Sequence, residues 1–135
     1  MHPISQLQGA LVGALKDDAA LVALVGPDGV FDAAPNGRPA PYVVIARHDM
    51  IQRDGDAAPG QEHRLLLHCW GDQPSRKRAL DMAERVVAVA MDFAAAGITV
   101  THRQHVRTET VIDKDTGLAR AAVGLRFMSE LPFSP

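Results

Sequence analysis

Residues 63–70, HRLLLHCW, constrain the fold more than any other stretch of the chain. The segment is short, rich in apolar side chains, and closed by Gly71-Asp72-Gln73-Pro74, where the backbone must turn. At strand geometry His63, Leu65, Leu67 and Cys69 share one face, and Arg64, Leu66, His68 and Trp70 share the other. Large apolar groups on both faces predict a central strand, covered on one side and at least partly covered on the other. Trp70, the single tryptophan, ends this strand just before a long helix, a position from which it can brace the helix against the sheet.

The flanking segments supply the partners such a strand needs. Ile4, Leu7, Leu11, Val12 and Leu15 recur at steps of three and four, which predicts an amphipathic helix with Pro3 near its start. Asp17-Asp18 interrupts it, and either carboxylate can cap a second helical piece over residues 19–25, which Gly26-Pro27 stops. Gly29-Val30-Phe31 fits a short strand, and the proline-rich residues 33–41 read as an extended connector. Residues 42–48, YVVIARH, form a β-branched strand that continues through Met50 and Ile51 towards Gln52-Arg53. Residues 54–60 are a small, polar loop, longer than a tight hairpin turn needs, joining two antiparallel strands.

Beyond Trp70 lies the strongest helix pattern, capped by Asp72 or Ser75. Its apolar stripe is Ala79, Leu80, Ala83, Val86, Val87, Ala90 and Met91, with Gly97 past its end. Arg76, Lys77 and Arg78 crowd the first turn, where the helix dipole disfavours cations. They read as a solvated basic face with Asp81 and Arg85 as an i,i+4 pair, or as a surface that serves a partner. A strand opening at Ile98 runs through Val106 to Ile112. Asp113-Lys114-Asp115-Thr116-Gly117 turns the chain, and residues 118–129 return with Val123, Leu125 and Phe127 alternating against Gly124, Arg126 and Met128. The tail at residues 131–135 packs elsewhere. The predicted fold is therefore α+β, a single domain over residues 1–135. It has an antiparallel sheet of about four strands, through Val44, Leu66, Val100 and Leu125, with an N-terminal helix and one long helix packed on it.

The chemistry is as informative for what it lacks. Aromatics make up only 4% of the 135 residues, so the core must be built from Ala, Val, Leu and Ile. Such thin layers suggest that a partner buries part of the apolar surface. A net charge of -2 gives no general attraction to nucleic acid or anionic membranes. One cysteine permits no internal disulfide and no Cys-based zinc site, and fits a reducing compartment. No run approaches the ~18 apolar residues of a membrane span, and MHPISQLQ lacks the layout of a secretion signal, so an intracellular, soluble protein is expected.

His63 and His68 fall on opposite strand faces, as do His102 and His105, so neither pair can grip one ion without a bulge. The DKDTG turn resembles the start of a calcium loop but has no Glu at the twelfth position. Cys69 shares a face with Leu65 and Leu67, which makes it a buried thiol. Neither a Gly-x-Ser-x-Gly elbow nor a phosphate or dinucleotide loop is present. No metal, cofactor or turnover is expected. An enzymatic or ligand-binding reading would need His48, His68 and His102 to converge on a cavity beside a carboxylate.

The order and spacing of these pieces resembles the tail-completion, or tail terminator, family of long-tailed bacteriophages and gene transfer agents. The matching features are the N-terminal helix running into LVALVG at residues 21–26, the VFDAAP segment at 30–35, and the connector leading to PYVVI at 41–45. The strand HRLLLHCW before a helix, and a last strand carrying Leu125-Arg126-Phe127, complete the match. The resemblance implies a ring of six copies on the head-proximal end of the tail tube. Such a ring ends tube polymerisation, offers a docking surface to the head connector, and lets DNA pass through its lumen without specific binding. It implies assembly in the bacterial cytoplasm and then residence in the particle. A neck protein joining head to tail is the sibling alternative. Family motifs mark no contact residues. Interface candidates therefore come from expected exposure: Asp54, Asp56 and Glu62 at one acidic tip, Asp113, Lys114 and Asp115 at another, and the basic Arg76, Lys77 and Arg78 elsewhere.

Overall fold

The HRLLLHCW strand lies at the centre of the sheet in the computed structural model, which describes residues 1–54 and 59–131. In chain order the elements are α1 (Pro3–Lys16), α2 (Ala19–Val25), β1 (Val30–Phe31), β2 (Tyr42–Asp54), β3 (Pro59–Trp70), α3 (Arg76–Ala90), β4 (Thr99–Ile112) and β5 (Ala119–Glu130). The sheet order is β1-β2-β3-β5-β4. β3 pairs antiparallel with β2 on one edge and β5 on the other, so Leu67 sits between Ile45 and Val123. The class is the α+β one predicted. The sheet has five strands because the two-residue β1 adds a short parallel pairing to β2 at Val43 and Val44.

Alternation then decides the layers. Leu65, Leu67 and Cys69 of β3 are buried, as are Val123, Leu125 and Phe127 of β5 and Val43 and Ile45 of β2. These residues form one cluster with Leu7, Leu11 and Leu15 of α1, Leu21 and Val25 of α2, and Ala79, Met82, Ala83, Val86 and Ala90 of α3. The helices therefore cover a single face. Phe127 packs edge-on against Phe93, with ring centres 5.7 Å apart. On the helix side of β4, Arg103 reaches over the Phe93 ring and donates to the Ala90 and Phe93 carbonyls at 3.1 and 2.5 Å. It thereby satisfies carbonyls at the end of α3 where the helix dipole favours a cation.

Tertiary partners override several local expectations. Asp18 caps α2 by accepting from the Leu21 N–H at 2.9 Å, and it also receives a bidentate pair from Arg85 at 2.8 and 3.0 Å. Arg85 is thus tied to α2 and not to Asp81, which instead takes Lys77 one turn back. Ser75 is the N-cap of α3, while Asp72 pairs with Arg78. Leu80, assigned to the apolar stripe, is exposed, and Met82 occupies the core in its place. Trp70 does not brace the helix. It lies on the face opposite Cys69, with Arg120 over its ring at 5.7 Å.

Leu66 also belongs to the uncovered face and is only half-buried, whereas Leu67 is fully enclosed. The two neighbours test the sidedness directly. Leu67→Asp places an unpaired carboxylate in the apolar cluster, at a cost of several kcal/mol against a total stability of about 5–15 kcal/mol. It should leave the chain unfolded by circular dichroism. Leu66→Asp, beside arginines on the open face, should still melt cooperatively.

Candidate functional site

The sequence offers polar side chains on both faces of the sheet, and the structure gathers each set differently. On the helix side, under α1, five side chains form a continuous hydrogen-bonded chain. Gln8 Oε1 lies 3.3 Å from His48 Nδ1, His48 Nε2 lies 2.8 Å from His63 Nδ1, and His63 Nε2 lies 2.8 Å from Ser129 Oγ. Ser129 donates onward to Gln61 Oε1 at 2.8 Å. Because the Ser129 hydroxyl gives its proton to Gln61, its oxygen accepts from His63 Nε2–H, and His63 Nδ1 in turn accepts from His48 Nε2–H. Both rings are neutral in that order, which leaves His48 Nδ1 an acceptor and the Gln8 carboxamide turned so that its NH2 donates there. Burial, with His63 also acting on His48, pushes both imidazoles down to about 4.

Ser129, His63 and His48 follow one another in space as the members of a nucleophilic triad do, but with donors and acceptors reversed. They cannot act as one. His63 is 0% exposed and Ser129 1% exposed, so no substrate reaches the hydroxyl, whose proton is already committed to Gln61. The chain instead satisfies polar groups that would be costly if left buried and unpaired. Sequence parity alone places Arg47, not His48, on this side. A register shift between Ile45 and Arg47 inserts one residue, so His48 turns inward opposite Leu65.

On the open face, Glu62 is buried among arginines. Arg126 Nη2 donates to it at 3.0 Å and Arg64 Nε at 2.9 Å, and Arg53 stands 3.5 Å away. The Arg126 hydrogen bond, then that of Arg64, holds its carboxyl down to about 2. This corrects its predicted place at an exposed acidic tip: Glu62 lies within β3 and is 3% exposed. Nearby, a groove of about 510 Å³ is lined by Leu66, Val106, Ala122 and Gly124 together with Arg107 and Arg126.

The other candidates are dispersed. Arg76, Lys77 and Arg78 are exposed on the first turn of α3, with Lys77 paired to Asp81 and Arg78 to Asp72, each at 3.0 Å. Asp113 accepts from the Thr116 N–H and hydroxyl at 3.0 and 2.8 Å, which closes the β4–β5 turn and leaves Lys114 and Asp115 exposed. Asp56 and the side chain of Asp54 lie outside the described residues. His68 and His102 fall on the open face and His48 on the helix side, so the three do not converge. Among the described residues no three His, Cys, Asp or Glu side chains form a group that could hold a metal ion. Cys69 is enclosed, and burial raises its thiol to about 12. No helix among the described residues is long and apolar enough to cross a membrane.

The described residues form a small α+β unit with one helix-covered face and one charged open face. The chain belongs to the tail completion protein gp17 family, whose model matches residues 9–130. Its fold is similar to a chain in the virion of a native gene transfer agent particle, with TM-score 0.82 and 23% identity over 96% of this chain and 99% of that one. It is also similar to the bacteriophage SPP1 gp17 protein, with TM-score 0.63 and 22% identity over 90% and 86% of the two chains. At these identities the likeness is one of fold. No curated protein sequence matches the chain.

The two buried imidazoles set the acid response. Their folded-state values lie near 4 against 6.5 in the unfolded chain, so between those limits the unfolded state binds more protons. Stability is fully present above pH 6.5 and is lost as pH falls towards 4. Glu62, held near 2 against 4.5, adds a further loss only below pH 4.5. Urea unfolding at pH 7, 6, 5 and 4 should show this steepening loss. The double variant His48→Gln/His63→Gln should lose most of this slope between pH 6.5 and 5, keeping the smaller share of His68, whose imidazole burial and then Arg120 also hold down.

Proposed function

We propose that this protein caps the head-proximal end of a phage or gene-transfer-agent tail tube as an oligomeric ring, most simply of six copies. In that position it ends tube polymerisation and presents a docking surface to the head connector. The observation that carries this reading is the family match across residues 9–130, which spans nearly all of the fold. The architecture supports it: a rigid sheet backed by helices holds turns and edges in fixed positions, where they can meet different partners on different sides. The same architecture supports a structural role without turnover. The protein would then be a component of the particle itself, in contact with the tube protein below and the connector above, with DNA passing through the lumen without sequence recognition.

Within this reading the acidic turn at Asp113 and Asp115, with Lys114, meets the basic start of α3 on a neighbour. The acidic residues Asp54 and Asp56 extend the acidic set. Arg76 has no ion-pair partner among the described residues, whereas Lys77 and Arg78 would exchange Asp81 and Asp72 for a neighbour's carboxylates. Exposed pairs contribute about 0.2–1 kcal/mol each, so several must act together.

The test is a producing strain in which the natural gene is replaced. Arg76, Lys77 and Arg78 all changed to Glu should give a folded chain but particles with unjoined or overlong tails by electron microscopy. Normal particles from the triple variant would exclude this contact. Normal particles from a strain lacking the gene altogether would overturn the terminator reading itself.

A further inference from the structure

Two edges of the sheet have no strand neighbour among the described residues. β4 is paired to β5 on one side along Thr99–Ile112 and borders no strand on the other. β2 is paired to β1 only at Val43 and Val44, so among the described residues the stretch 47–51 borders no strand on the side away from β3. Such rows of unpaired N–H and C=O groups template pairing with another chain. The register shift of β2 lies just before Arg47 and the second shift of β4 just before Arg107, so both runs are regular from those residues onward.

Polarity restricts how two copies can meet. The three ladders from β2 to β4 are all antiparallel, so β2 and β4 run in opposite directions. A second copy placed alongside in the same orientation brings its β2 antiparallel to the first copy's β4. The joint sheet then keeps its alternation and its helices on one side. Repeating one such contact generates a closed ring where the rotation allows.

Side chains select the register. Each open run carries an arginine and a carboxylate two residues apart on the open face, Arg47 with Asp49 at 2.6 Å and Arg107 with Glu109. All four are exposed. An antiparallel register that sets Arg107 opposite a neighbour's Asp49 also sets Glu109 opposite that neighbour's Arg47. The same register brings Val106, 53% exposed, towards the neighbour's Ile51, 41% exposed. A twofold contact of β4 with a second β4 also crosses Arg107 with Glu109 and brings Val106 towards the neighbour's Val111, 39% exposed, but it closes on two copies and leaves no β4 edge from which a ring could continue.

We infer that copies of this chain join edge to edge, β4 of one against residues 47–51 of the next, with Arg107 crossed to Asp49 and Glu109 to Arg47. This seam rests on the ring reading above and specifies the contact that builds it.

Charge exchange separates the possibilities. One variant carries Arg47→Asp with Asp49→Arg, a second carries Arg107→Glu with Glu109→Arg, and a third carries all four changes. Each preserves the pair within its own strand and the net charge, so each should melt like the natural chain. Association is read by sedimentation velocity at low salt over a range of concentrations. Each single exchange should raise the concentration for half-association about tenfold or more, because two crossed pairs become repulsive. The four-change variant should return to near the natural value. A twofold β4–β4 contact carries both partners on one strand and is indifferent to every exchange. Oligomers of unchanged affinity in all variants would therefore overturn the seam while the ring reading stands. A natural chain that stays monomeric at every concentration would overturn both.

Discussion

The packing of one face of β3 against three helices is the contact on which the rest of the molecule depends. Leu65, Leu67 and Cys69 are fully or almost fully removed from water by leucines of α1 and small residues of α3, with Phe93 and Phe127 supplying the bulk. Apolar burial of this kind contributes roughly 25 cal/mol per Å², and a close-packed core made of small side chains leaves little room for rearrangement. The sheet is thereby fixed in register. Everything displayed on its other face and along its edges inherits that rigidity.

The opposite face is stabilised by different means. No helix covers it among the described residues, so Leu66, His68 and Trp70 are shielded only in part, by neighbouring arginine stems and rings. Glu62 anchors this layer by drawing in Arg126, Arg64 and Arg53 from three positions on two neighbouring strands and its own. A half-covered face of this kind, with long unpaired edges beside it, suits a subunit that completes its surface through neighbours. The Ser129–His63–His48 chain on the helix side is closed to any substrate, because Ser129 and His63 are 1% and 0% exposed.

Much of the fold was legible because alternation and helical period are local signals. Val123, Leu125 and Phe127 reported the buried face of β5, and Leu7, Leu11 and Leu15 that of α1. The resemblance to tail-completion proteins, resting on the order of these pieces, agrees with the family match. What escaped reading depends on contacts distant in sequence. Arg85 preferred Asp18, 67 residues away, to the adjacent turn's Asp81. Glu62 read as part of an exposed acidic tip because it is charged and follows the polar loop, yet Arg126 across the β3–β5 ladder makes its burial possible, as Ser129 does for Gln61. The position of Trp70 just before α3 suggested a brace for the helix, because both faces of β3 carry large groups and parity does not say which one the helices cover. The inserted residue at Ala46 has no local signature, and it alone turns His48 inward to His63.

The central claim is that this rigid, one-sided unit exists to associate with copies of itself. Light scattering on the purified natural chain, coupled to negative-stain imaging, addresses it most directly. The account predicts annular particles whose mass settles at one fixed multiple of the 14.5 kDa chain and stops growing with concentration. A 14.5 kDa species at every concentration, or an open-ended mass distribution without rings, would contradict it.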